Sequence, residues 1–151
     1  MRKSQPVPPA DQWLPTGDQW RCPACGKQFV RRGVWHSCAV VSLEDHFADR
    51  PRARELFDAF HAVVAEAGPF RLSIARTRIG FINGITFLSV TPRIHHLRIG
   101  LVLLQRLDSP RFSNVEQIEK WWLHTLDIRH AQEIDDELRD WAHQAYAEAV
   151  R

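Results

Sequence analysis

Apolar residues recur at helical spacing near both ends of this chain, and between those stretches the period falls to two. Leu56, Phe57, Phe60, Val63, Val64 and Ala67 share one face of a helix. Pro51 suits the first turn of that helix, and Gly68-Pro69 stops it. Just before it, Ser42-Leu-Glu-Asp45 has the form of a capping box with Asp in the place of Glu, which predicts a short helical turn from Leu43 to Phe47. Leu138, Trp141, Ala142, Ala145, Tyr146 and Ala149 mark a second amphipathic helix, roughly residues 132–150.

The middle of the chain reads as strands. Leu72 to Ile82 and Ile85 to Thr91 flank Asn83-Gly84, a strong short hairpin signal, and Pro92 ends the second run. His95 to Arg106 places Leu97, Ile99, Leu101 and Leu103 on one face and Val102 and Leu104 on the other, as in a central strand buried on both sides. A loop from Leu107 to Glu119 precedes a fourth strand, Trp121 to Ile128. This order predicts an α+β fold, an antiparallel four-stranded sheet with N- and C-terminal helices packed on one face.

The first 40 residues break the pattern. Residues 1–19 carry Pro6, Pro8, Pro9 and Pro15 among polar residues and read as a flexible tail. Residues 20–39 hold all three cysteines, as Cys22-Pro-Ala-Cys25-Gly and His36-Ser-Cys38. Two thiolates in C-x-x-C reach one metal if the chain turns sharply between them, which Gly26 permits, and the following amides are free to donate toward sulfur. His36 and Cys38, two apart, point to one side of an extended segment. Cys22, Cys25, His36 and Cys38 are therefore expected to hold a structural Zn²⁺, with His46 as the substitute for His36. A disulfide would leave one thiol over, and no βαβ pattern flanks the pair as a redox motif requires. Phe29, Val34 and Trp35 supply a core too small to fold without the metal. The remaining residues, 40–151, form the α+β domain.

Composition is that of an ordinary globular chain, 44% hydrophobic and 25% charged, with a net charge of only +2. No apolar run approaches the roughly 18 residues of a membrane span. Arg2 and Lys3 have no apolar stretch behind them, so a secretory signal is not expected, and with the zinc-spaced cysteines this predicts a cytoplasmic protein. The distribution of charge says more than its sum. Residues 20–38 contain Arg21, Lys27, Arg31 and Arg32 and no acid, and residues 71–111 contain seven arginines against Asp108 alone. Residues 131–151 reverse this, with six acids and two arginines. A basic finger and sheet against acidic helices would present one positive face.

No P-loop, G-x-G-x-x-G, nucleophile elbow or H-E-x-x-H is found, so the chain carries no recognised catalytic signature and no catalytic residue is assigned. One constellation is suited to anions. Arg76 and Arg78 are two apart on one strand, Arg93, His96 and Arg98 stand near the ends of adjacent strands, and His124 approaches from the fourth. Solvated arginines and a core histidine or two would produce the same pattern. Asp135 and Asp136 read as first-turn residues favoured by the helix dipole, and Phe112 as a mobile loop contact.

Cys-Pro-x-Cys-Gly-x-x-Phe29 with His36-Ser-Cys38, Asp45-His46-Phe47, Thr77-x-Ile79-x-Phe81, Thr91-Pro92-Arg93, Asp135-x-Glu137-Leu138 and the run from Trp141 to Tyr146 occur in this order. Over about residues 20–150 the chain resembles a bacterial family known as a domain of unknown function, numbered five-six-five-five. The resemblance implies no activity, substrate or catalytic residue. The function expected from the residues themselves is binding of nucleic acid or another polyanion, with Trp20, Arg21, Lys27, Arg31, Arg32 and Trp35 of the finger as contacts. An anionic small molecule, held as ligand or substrate in a pocket over the sheet, and a protein-interaction module are the alternatives.

Overall fold

The computed structural model describes residues 20–23, 28–29, 33 and 41–149. The chain divides into two compact units, Met1–Val40 and Val41–Arg151. In the first unit, β1 (Trp20–Arg21) pairs antiparallel with β2 (Gln28–Phe29), Trp20 opposite Phe29 and Arg21 opposite Gln28. Cys22, which follows β1, is buried.

The second unit opens with α1 (Leu43–Phe47), and its capping box forms as the residues require. Ser42 Oγ accepts from the Asp45 amide at 3.1 Å, and an Asp45 carboxylate oxygen accepts from the Ser42 amide at 2.9 Å. Those bonds hold the Asp45 carboxyl below its ordinary pKa. Pro51 starts α2 (Pro51–Ala65), which buries Ala53, Leu56, Phe57, Phe60 and Val64. The third helix, α3 (Asp136–Ala149), buries Leu138, Ala142, Ala145 and Ala149. A single 3-10 turn, Ala131–Glu133, precedes it, so the helix begins later than its apolar spacing suggests.

Between the helices lies one antiparallel sheet of six strands, two more than the sequence predicts. They are β3 (Arg71–Ile74), β4 (Ile79–Asn83), β5 (Ile85–Pro92), β6 (Leu97–Leu103), β7 (Asn114–Ile118) and β8 (Trp121–Ile128), in the order β3-β4-β5-β6-β8-β7. The expected strand Leu72–Ile82 is two strands. The chain folds back through Ala75–Arg78, closed by the Ala75 amide on the Arg78 carbonyl at 2.9 Å. The expected loop 107–119 contains β7, an edge strand that turns into β8 through Glu119 at φ 57°. Asn83-Gly84 does join β4 to β5, with Gly84 at φ 81°, where a side chain would be strained.

Register sorts the strand residues onto two faces. Leu72, Phe81, Leu88, Leu101 and His124 form one cross-strand line, and Ile79, Val90, Ile99 and Leu126 form the next. These lines meet the helices. Phe57 and Phe60 contact Phe81 at ring-centroid distances of 6.1 and 6.3 Å, and Tyr146 meets Phe87 edge-on at 5.4 Å. His143 Nε2 donates to the Val63 carbonyl at 2.8 Å, and Tyr146 Oη donates to that of Pro69 at 2.7 Å, which ties α3 to α2 and its exit. On the other face the positions alternate to Ser73, Gly80, Ser89, Gly100, Thr125 and Asn114 along one line, and Thr91, Arg98 and Asp127 along another. No helix of the second unit's core packs there. Gly100 lets its neighbours lie flat on the sheet, since a Cβ would come within 2.8 Å of Ser89 Oγ and 3.1 Å of Leu123 Cδ1.

Candidate anion-binding site

The open face ends, at the β5–β6 turn, in a cluster of cations around a carboxylate. Arg98 and Asp127 are direct partners across β6 and β8. Arg98 Nε donates to Asp127 Oδ1 at 2.9 Å and Nη2 to Oδ2 at 3.4 Å. Arg129, just beyond β8, brings Nη2 to 3.8 Å from Asp127 Oδ2, and His96 brings Nε2 to 3.9 Å from the same oxygen. Arg129 Nη1 donates to His96 Nδ1 at 3.3 Å, so the neutral His96 carries its proton on Nε2. The β5–β6 turn is closed by the Arg93 amide on the His96 carbonyl at 2.9 Å, which holds exposed Arg93 beside the group.

Electrostatics follow from this packing. Burial, and then the charges of Arg129, Arg98 and Arg93, push the His96 imidazole below its ordinary pKa, although Asp127 acts the other way. The Arg98 hydrogen bond holds the Asp127 carboxyl below its usual range against the opposing effect of burial. The same bond raises Arg98. At neutral pH the cluster therefore contains three guanidinium charges, a neutral imidazole and one carboxylate. The Arg98 and Arg129 side chains are 42% and 57% exposed, whereas Asp127 is 20% exposed. The cations face solvent and the carboxylate sits behind them.

Arg78 stands one residue before β4, whose Ile79 pairs with Val90 of β5. Arg76 and Arg78 do not lie on a strand face as their spacing suggests; both are exposed in the Ala75–Arg78 turn. Arg52, from the first turn of α2, donates to the Arg129 carbonyl at 2.9 Å and to His130 Nδ1 at 3.1 Å. It helps line a cleft of about 280 Å³ with Glu55, Leu56, His130, Ala131 and Gln132. A second hollow, about 450 Å³, is bounded by His61, Ala65, Gly68, Pro69, Phe70 and Leu72. Both border α2 or its exit, so neither is a pocket over the open face.

His124 does not join the cluster. It is fully buried on the helix-covered face, opposite Leu101, whereas Arg98 and Asp127 occupy the open one. The Leu107 amide donates to His124 Nε2 at 2.9 Å, which places the proton on Nδ1, 3.4 Å from the Leu101 carbonyl oxygen. Burial pushes this imidazole below its ordinary pKa, with Arg106 adding to the effect against the carbonyl contacts. Phe112 is no mobile loop contact: its ring lies 4.9 Å from His124 and 4.8 Å from Trp141. Beside it, Arg111 Nη1 reaches Asp135 at 3.0 Å and Glu137 at 3.1 Å, Nη2 donates to the Glu133 carbonyl at 2.7 Å, and the guanidinium lies 5.6 Å from the Trp141 ring. Asp135 also accepts from the Leu138 amide at 3.0 Å, so it caps α3 as well as holding Arg111.

Of the expected zinc ligands, Cys22 is placed as above, and Cys25, His36 and Cys38 lie outside the described residues. Among the described residues, no group of three or more His, Cys, Asp and Glu side chains is arranged to hold a metal. The substitute ligand His46 is buried in the second unit and donates from Nε2 to the Ala75 carbonyl at 2.7 Å. Of the expected finger contacts, Trp20 is half-buried and Arg21 exposed, and Lys27, Arg31, Arg32 and Trp35 lie outside the described residues. Asp127 and Arg129 were missed in sequence. Nothing in the residue types or the spacing around β8 marks an acid as the centre of a basic site. Among the described residues, no helix is long and apolar enough to cross a membrane.

A family model described as Domain of unknown function (DUF5655) matches residues 43–149. The match takes in α1 through α3 and so includes the whole cluster. No curated protein and no solved structure matches the chain.

Proposed function

For a chain that belongs to the DUF5655 family, we propose a role in binding nucleic acid or another phosphate-bearing polyanion in the cytoplasm. One observation carries this reading: Arg93, Arg98, Arg129 and His96 converge at one end of the open face. Guanidinium groups suit phosphate because their N–H donors match its oxygens in pairs. The basic residues of the finger, Arg21, Lys27, Arg31 and Arg32, with Trp20 and Trp35, are proposed as further contacts.

The first unit is proposed to hold a structural zinc ion through Cys22, Cys25, His36 and Cys38. The β1–β2 pairing supports it, because Arg21 opposite Gln28 brings together the two ends of the stretch of sequence that contains both cysteines of C-x-x-C. Zinc would supply folding stability to a module whose own core is small, and no chemical step. Purified chain is expected to release about one Zn²⁺ per molecule when its thiols are modified. Cys25→Ser is expected to lose that metal. Chain purified without chelators that contains no zinc would overturn the assignment.

Polyanion binding is tested by fluorescence anisotropy with a labelled oligothymidylate over a series of salt concentrations. Three arginine–phosphate contacts predict a log–log salt slope of about −2 for a single strand, and Arg98→Ala should reduce it by about 0.7. Absence of binding at low salt removes the reading. Binding of inorganic pyrophosphate with no binding of oligothymidylate would assign the cluster to an anionic metabolite instead.

A further inference from the structure

Asp127 occupies the position an incoming anion would take. Its carboxylate accepts from both Nε and Nη2 of Arg98, the paired geometry that a phosphate would adopt. It also draws Arg129 and His96 to within 4 Å. We propose that Asp127 is an intramolecular competitor that sets the specificity of the basic cluster, excluding single carboxylates and admitting phosphates that carry more charge or arrive in a row. This rests on the reading of the cluster as a polyanion site.

The argument is one of charge and position. A monoanionic carboxylate offered from solution matches what Arg98 already has and must also approach Asp127, so it gains little. A pyrophosphate or a run of phosphodiesters presents several charges at once. It can displace the carboxylate from Arg98 Nε and Nη2 while also engaging Arg129 and Arg93, which a single carboxylate cannot do. Asp127 is 20% exposed against 42% and 57% for its two arginines, so a phosphate meets the guanidiniums from the solvent side. Asp127 orients the donors and also subtracts one charge from the field they create.

Asp127→Asn separates the two effects, because the amide oxygen still accepts from Arg98 Nε and the charge is gone. Oligothymidylate binding by anisotropy, and acetate and inorganic pyrophosphate binding by calorimetry, are compared in the full chain and this variant. The wild-type chain is expected to bind oligothymidylate and pyrophosphate but not acetate. The variant should bind oligothymidylate about three- to tenfold more tightly, the effect of removing one charge at about 7 Å in a largely aqueous site. Unchanged or weaker binding by a folded variant overturns the proposal and leaves the polyanion reading standing. If neither chain binds either phosphate probe, that reading fails and the proposal with it. A second measurement needs no variant: the Arg98 Nε–H resonance of the wild-type chain should shift as pyrophosphate is added. Saturable binding that leaves this resonance in place would overturn the proposal even where Asp127→Asn does not fold.

Discussion

His124 and Asp127 are three residues apart on β8, and the sheet divides them. Both are polar and both meet several hydrogen-bonding groups, but the groups serve different ends. Around His124, each polar atom of the ring faces the backbone, at the Leu107 amide and the Leu101 carbonyl, while the Phe112 ring packs against it at a tilt. That environment is complete without any ligand. Around Asp127, the carboxylate meets Arg98, Arg129 and His96, and the two guanidinium side chains are 42% and 57% exposed. A buried polar group with its partners built in is structural, and a basic group with donors directed outward can still bind something. The sequence presents both histidines, His96 and His124, as members of one constellation. The two sheet faces assign them to different roles.

The largest effect that would sharpen this contrast is expected at His124. His124→Ala removes a fully buried ring, opens a cavity beside Phe112 and Trp141, and leaves the Leu107 amide without its acceptor. A loss of about 3 kcal/mol in unfolding free energy is expected from urea titration. Oligothymidylate affinity of the folded variant should be unchanged. A loss below about 1 kcal/mol would mean that segment 107–113 is held without the ring, by Arg111 and its acidic partners.

A smaller effect comes from protonating the same ring. The folded pKa of His124 lies below the ordinary 6.5, so the unfolded chain binds the extra proton more readily. Its contribution is therefore fully present above about pH 6.5 and is lost as pH falls through the folded value, by at most about 1.4 kcal/mol per pH unit. Protonation would also set an Nε2 proton against the Leu107 N–H. The chain has seven other histidines, so the informative quantity is the difference between wild type and His124→Ala. That difference should shrink as the solution is acidified below pH 6.5. A constant difference would show that the ring is not held neutral by the fold.

What could be read before the structure, and what could not, follows from how each element is encoded. The capping box at Ser42, the proline that opens α2 and the Asn83-Gly84 hairpin are local chemistry, and they form where the residues say. The Ala75–Arg78 and Glu119–Lys120 turns contain no Gly, Pro or Asn, so β3 and β7 stayed hidden in a long strand and a long loop. The 3-10 turn at Ala131–Glu133 shortened α3 because Arg111 and the Leu138 amide take Asp135 as a cap. The face of His124 was legible by parity, since it alternates in phase with Leu126 and Ile128, both buried. Asp127 was not legible, because its role depends on register: only the pairing of β6 with β8 sets it against Arg98.

The smallest effect on stability is expected at Arg98, and this is what makes the comparison decisive. Arg98→Ala breaks the ion pair with Asp127, but the pair is partly exposed and Asp127 keeps Arg129 nearby. Pairs of this kind contribute about 1 kcal/mol or less, so urea titration should show a loss under about 1 kcal/mol. The polyanion reading requires the same variant to bind oligothymidylate several-fold more weakly with a shallower salt slope. Within one strand pair, then, His124→Ala should alter stability and spare binding, and Arg98→Ala should do the reverse. If Arg98→Ala instead costs as much stability as His124→Ala and spares binding, the cluster is a structural ion-pair network like that of Arg111. The open face would then lose its claim to a ligand.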